Sequence, residues 1–97
     1  MKYRVLPAAL NDLDEIDAWV LEHFGLSFAV ETQAKFFQTF DLLCDFPHMG
    51  RSLPEIAPEP KRFLALKPYW IVYEPGMPLL IHRIYHSARD LGKMTKI

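Results

Sequence analysis

Cysteine is nearly missing from this 97-residue chain: Cys44 is the only one. A single thiol closes no internal disulfide, which excludes a disulfide-stapled scaffold and points to a reducing cytoplasm. Cys44 lies in an apolar stretch and reads as a small core residue rather than a nucleophile. Glycine is also sparse, with four residues scattered at 25, 50, 76 and 92, so no glycine-rich loop is available to cradle a phosphate. No apolar run approaches the ~20 residues that cross a bilayer. The apolar stretch after Lys2 and Arg4 stops at Asn11-Asp12, too early for a signal peptide. Repeats, low-complexity tracts, CxxC pairs and G-x-S-x-G motifs are absent, and no cofactor is expected.

What remains is an ordinary globular composition, 51% hydrophobic and 24% charged, at a length that makes residues 1–97 one domain. The net charge of −1 hides an asymmetry. Residues 1–60 carry four Lys/Arg against ten Asp/Glu, a net of −6, while residues 61–97 carry seven against two, a net of +5. The basic end suits an acidic protein segment or nucleic acid. The competing reading is internal: acidic helices sitting near a basic sheet.

Periodicity places the elements. Lys2 to Leu6 is a short strand, and Pro7 suits the first turn of a helix, where its missing N–H costs nothing. Ala9, Leu13, Ile16, Val20 and Phe24 recur at spacings of four, three, four and four, one apolar stripe on a helix from about Pro7 to His23. Asp12, Asp14, Glu15, Asp17 and Glu22 are placed off that stripe, and Gly25 stops the helix. Ser27 is expected to cap a second helix whose apolar face is Ala29, Val30, Phe36, Phe37, Phe40, Leu43 and Cys44, ending before Pro47. So short a connection makes an antiparallel helical hairpin.

Pro47 to Arg51 is a turn in which Gly50 is expected at positive φ. Residues 52–60 hold three prolines and read as extended and irregular. Strands follow at about 61–66, 69–74 and 79–86, divided by Lys67-Pro68 and by Pro75 to Pro78. The fold class is therefore α+β, in the order β-α-α-β-β-β. The helical hairpin packs on one face of a small, mainly antiparallel sheet, with the other face left open.

The last strand runs into His86, Arg89 and Asp90. His82 and His86 are four apart, a metal-binding spacing on a helix; on a strand that separation is roughly 13 Å, too far for one ion. No metal site is expected. His86 and Arg89 have the chemistry of an acid–base group and a phosphate clamp. The alternative is that Asp90 pairs with Arg89 or Arg83 and closes the strand end. Trp70 and Tyr85 either stack on a base or pack on the sheet. The acidic residues read as solvated helix faces.

Ala8/Ala9 with Asp12-Leu13 and Ile16, Trp19, Phe24-Gly25, Phe40, Leu43, Pro47 and Met49-Gly50-Arg51 occur in an order that continues through Pro54-Glu55, Arg62-Phe63, Tyr69, Ile71 and Tyr73. The series closes on Ile81-x-Arg83-Ile84-x-His86-x-x-Arg89-Asp90. Over about residues 3 to 91 the chain resembles the RelE/ParE toxin superfamily, within it the ParE branch. The resemblance implies the toxin of a type II toxin–antitoxin system: ParE-like, inhibiting DNA gyrase without turnover, and neutralised by direct binding of a ParD-like antitoxin.

RelE-like members instead cut mRNA on the ribosome, typically with a basic residue on the middle strand of the hairpin, where this chain has Trp70. That departure favours ParE. If the chain is a nuclease, the resemblance points to His86, Arg89 and Arg83. An inactive binding domain on the same fold is the remaining alternative. The target-facing residues it suggests are Trp70, Arg83, His86, Arg89 and Lys93; the antitoxin-facing ones are Trp19, Phe37, Arg62 and Arg83. The expected location is cytoplasmic. Neither a membrane nor direct sequence-specific nucleic-acid binding by the toxin alone is expected.

Overall fold

A computed structural model describes residues 2–87. Its elements run β1 (Tyr3–Val5), α1 (Pro7–Phe24), α2 (Leu26–Asp45), β2 (Arg62–Leu66), β3 (Tyr69–Glu74) and β4 (Leu79–His86). The order is the expected β-α-α-β-β-β. The strands form one mixed sheet ordered β1-β4-β3-β2, with β2–β3 and β3–β4 antiparallel and β1–β4 parallel. A parallel pair needs a crossover, and the helical hairpin is that crossover.

The hairpin covers one face of the sheet. Ala9, Leu13, Ile16 and Val20 from α1 and Ala29, Phe36, Phe40 and Leu43 from α2 form one buried cluster with Tyr69, Ile71, Tyr73, Leu79, Ile81 and Ile84. Phe24, the last member of the sequence stripe, is 59% exposed, because it stands at the end of α1 beyond the sheet. Val30 and Phe37 also stay exposed on the outer side of α2. Gln33 Nε2 donates to the Leu13 carbonyl at 3.2 Å and ties the two helices together.

Gly25 is the whole connection between the helices, at φ 90° and ψ 174°. Its N–H donates to the Leu21 carbonyl, and its own carbonyl accepts from Ala29. One residue therefore ends α1 and starts α2, in a region of backbone space that is essentially glycine's alone. The expected Ser27 cap does not form, since α2 begins at Leu26 with Gly25 before it and no side-chain cap.

Two further expectations are corrected. Gly50 is not at positive φ. Its requirement is space: a Cβ there would lie 2.7 Å from the Tyr73 ring and hydroxyl and 2.9 Å from the Phe63 carbonyl oxygen. The second sheet face is not open. Residues 52–60 fold back over it, with Ile56 and Ala57 N–H groups both donating to the Leu53 carbonyl and Ser52 donating to Glu59. Ala57, Phe63, Val72 and Tyr85 are buried beneath that loop as a second cluster, with Leu53, Ile56 and Trp70 against it. Arg51 adds a bridge to the outer edge of β2 through paired backbone bonds with Phe63.

Among the described residues, no helix is long and apolar enough to cross a membrane.

Candidate functional site

The last strand changes partners half-way along. β1 pairs with Leu79, Leu80 and Ile81, then Leu6 N–H makes a final bond to the Ile81 carbonyl and the chain leaves as α1. Across the sheet, Tyr73 pairs with Ile81 but Val72 pairs with Arg83, so His82 is the extra residue of a bulge. Beyond the bulge β4 has β3 on one side and, among the described residues, no strand on the other. Such an edge leaves backbone N–H groups unpaired unless something else meets them.

Asp12 of α1 meets one of them. Its Oδ2 accepts the Ile84 N–H at 2.9 Å. The same carboxylate holds Arg83 in a two-point grip, Nε to Oδ2 at 2.8 Å and Nη2 to Oδ1 at 3.0 Å. Asp12 is only 7% exposed, and a carboxylate this deep is stable because three donors converge on it. The expectation that Asp12 is a solvated surface acid is thus overturned. Asp12 is the carboxylate that holds Arg83.

Arg83 also lies over the Tyr85 ring, its guanidinium carbon 4.7 Å from the ring centroid, a cation–π distance. Tyr85 is buried and faces Trp70 across the β3–β4 ladder. Arg83, Tyr85 and Trp70 therefore form a row on the loop-covered face, with Trp70 half-buried against the second cluster. Both aromatics pack on the sheet.

His86 is on the other side. It pairs with Tyr69, a member of the helix-facing cluster, and the two rings meet edge to face at 5.7 Å and 85°. Strand alternation thus separates His86 from Arg83. His82 is engaged too, its Nε2 3.0 Å from Glu74 Oε1.

His86 instead lines a cleft of about 350 Å³ between the far end of the helical hairpin and the β2–β3 turn. Trp19, Phe24 and Phe28 wall it from the helices, Leu66, Pro68 and Tyr69 from the sheet, and Lys35 and Lys67 stand at it as cations. Trp19 stacks on His23 at 4.3 Å, and His23 Nδ1 donates to the Trp19 carbonyl at 2.8 Å.

The remaining sequence-chosen residues lie apart from these two centres. Phe37 sits on the outer side of α2, 39% exposed and edge-on to Phe40 at 5.5 Å. Arg62 donates from Nη1 to the Gly50 carbonyl at 2.8 Å, beside the Tyr73 hydroxyl that accepts from Gly50 N–H and donates to the Pro47 carbonyl. Arg89 and Lys93 lie outside the described residues, as do Asp90 and the short polar end after Ser87. Burial pushes the Cys44 thiol above its usual range, with Asp41 adding to the effect, and a protonated thiol fits the core role given to it.

Sequence reasoning missed Asp12 and the Phe28, Lys35 and Lys67 part of the cleft. For Asp12 the signal was present: it stands three residues after Ala9 and four before Ile16, on the apolar stripe itself.

The sequence profile of the family described as ParE toxin of type II toxin-antitoxin system, parDE, matches residues 3–91. The chain belongs to the ParE toxin family. The fold of this ParE-family toxin is matched by nine chains of solved structures. One is described as the chromosomal ParDE TA system from P. aeruginosa, at a TM-score of 0.74 and 22% identity, over 89% of this chain and 95% of that one. That likeness is one of fold. No curated protein matches the sequence. The ParE fold and the toxin–antitoxin family assignment thus agree with the expectation formed from the sequence.

Proposed function

We propose that this ParE-type toxin inhibits DNA gyrase by binding it, blocks replication without turnover of its own, and is neutralised by direct contact with a ParD-like antitoxin. The observation that carries the reading is the separation of His86 from Arg83. Cleavage of RNA needs an acid–base group and a cation around one phosphate. Here the candidate histidine lies against Tyr69 on the helix-facing side, while Arg83 is held by Asp12 and stacked on Tyr85 on the other. Trp70, half-buried beside them, stands where RelE-like toxins typically carry a cation. Such an arrangement supports a binding surface better than a nuclease centre.

Two purified assays decide between the readings. In a gyrase supercoiling reaction the toxin is expected to inhibit and to trap gyrase–DNA cleavage complexes, and the antitoxin to reverse both. In a translating extract it is expected to leave mRNA intact. Codon-phased mRNA cleavage that His86→Ala abolishes would establish the RelE-like alternative instead.

A further inference from the structure

Among the described residues the sheet has margins at three places: the outer sides of β1 and β2, and β4 beyond its bulge. A free margin is a template on which another chain can add a strand. Two of the three are blunted by backbone or by brevity. Arg51 bridges the outer side of β2, its N–H and carbonyl both bonded to Phe63. β1 is three residues long, with exposed Lys2 before it and exposed Arg4 within it, charges that oppose pairing with a like strand.

The margin of β4 has neither defence. Leu79–Tyr85 is a run of Leu, Ile, Tyr and His without proline or glycine, and Arg83 is its only Lys, Arg, Asp or Glu. Such a run has the composition that stacks strand upon strand. One side chain stands at its margin. β1 makes its last bond where Leu6 N–H meets the Ile81 carbonyl. Asp12, from the helix that continues β1, then sets Oδ2 2.9 Å from the Ile84 nitrogen, where the carbonyl of a neighbouring strand would accept. Arg83 clamps both carboxylate oxygens, and Asp12 is buried. An incoming strand cannot take the Ile84 N–H without displacing this carboxylate from two charge-assisted bonds.

We infer that Asp12 is an edge guard: it keeps the Ile84 N–H from pairing with a strand of a second copy of the chain, and Arg83 holds it in place. The device does not depend on which target the toxin binds.

Four full-length proteins test it: the parent, Asp12→Ala, Asp12→Asn and Gly50→Ala. Asn keeps an acceptor of the same shape at Ile84. Gly50→Ala is a control for lost stability, crowding Tyr73 and Phe63 rather than opening β4. In sedimentation velocity the parent, Asp12→Asn and Gly50→Ala are expected to share one profile, and Asp12→Ala to gain heavier species as concentration rises. Native hydrogen exchange reads the same amide. At low concentration Ile84 N–H is expected to exchange about tenfold faster in Asp12→Ala than in the parent. As the heavier species form, that amide should become protected again, a concentration dependence that a purely stabilising role for Asp12 does not produce.

Three results would overturn the inference: an Asp12→Ala profile like the parent's, heavier species in which Ile84 still exchanges fast, or equal association by Gly50→Ala. Should Asp12→Ala fail to fold, the parent carries the test. Slow exchange at Ile84 supports the guard, and exchange as fast as that of a fraying strand end contradicts it.

Discussion

Asp12 and Arg83, 71 positions apart, are joined by two hydrogen bonds of 2.8 and 3.0 Å, and the same carboxylate closes the backbone of the strand at Ile84. This one side chain of α1 therefore fixes both the open edge of β4 and the cation that lies over Tyr85. Asp12→Ala leaves a guanidinium and a buried N–H without their acceptor. Arg83 is 34% exposed, so water recovers part of the loss, and the expected cost is about 2–3 kcal/mol. Asp12→Asn keeps an acceptor for Ile84 and should cost less. Arg83→Lys should cost nearly as much as Arg83→Ala, because an ammonium cannot reproduce the two-point grip. Urea unfolding of the four variants checks the order; equal stability of Asp12→Ala and the parent would contradict it.

Two glycines are required for different reasons. Gly25→Ala meets nothing within 4 Å, so its whole cost is the backbone at φ 90°, about 1–3 kcal/mol. Asn should not rescue it, since ψ 174° lies outside the left-handed helical region that Asn tolerates. Gly50→Ala has no such backbone cost but collides with the Tyr73 ring and the Phe63 backbone, for about 1–3 kcal/mol of overpacking. Melting temperatures of Gly25→Ala, Gly25→Asn and Gly50→Ala test both explanations. Recovery with Asn at 25 would refute the first, and an unchanged melting temperature for Gly50→Ala the second.

Alkaline pH should destabilise the fold. Burial raises the hydroxyls of Tyr3 and Tyr73 above the ordinary 10.0 and the Cys44 thiol above 9.0. At Tyr73 the bond from Gly50 and the nearby Arg62 oppose the rise without cancelling it. The folded state then keeps these protons at a pH where the unfolded chain has released them. Their stabilisation is complete below the unfolded values and is lost as pH climbs through the folded ones. The urea midpoint should be level near neutrality and fall between about pH 9 and pH 11, with a shallower fall in Tyr73→Phe. A midpoint that rises over that range would refute the account.

Most of the fold was legible because its signals are local. The strands at 69–74 and 79–86 fall where the alternation and the Pro-rich turns put them, and the stripe from Ala9 to Val20 is buried as spaced. What escaped was long-range. Nothing near Asp12 in sequence reveals that a strand edge 72 residues later needs its carboxylate. The prolines at 54, 58 and 60 announce an irregular segment but not that Ala57 and Ile56 close the second sheet face. Gly50 was read through backbone freedom, the commonest need for a glycine in a turn, whereas its neighbour Tyr73 comes from β3. Of the residues chosen for the site, Arg89 and Lys93 lie outside the described residues. Strand alternation divided Arg83 and Trp70 from His86, a separation that the odd spacing of three between Arg83 and His86 already carried.

The central claim is that this toxin stops replication by binding gyrase, and one measurement reaches it directly: supercoiling of relaxed plasmid by purified gyrase, with cleaved DNA scored after protease treatment. The account predicts that the toxin lowers supercoiling and accumulates cleaved plasmid in proportion to its concentration, and that adding the antitoxin reverses both. Supercoiling at the uninhibited rate with no cleaved plasmid, at toxin in large excess over gyrase, would contradict it.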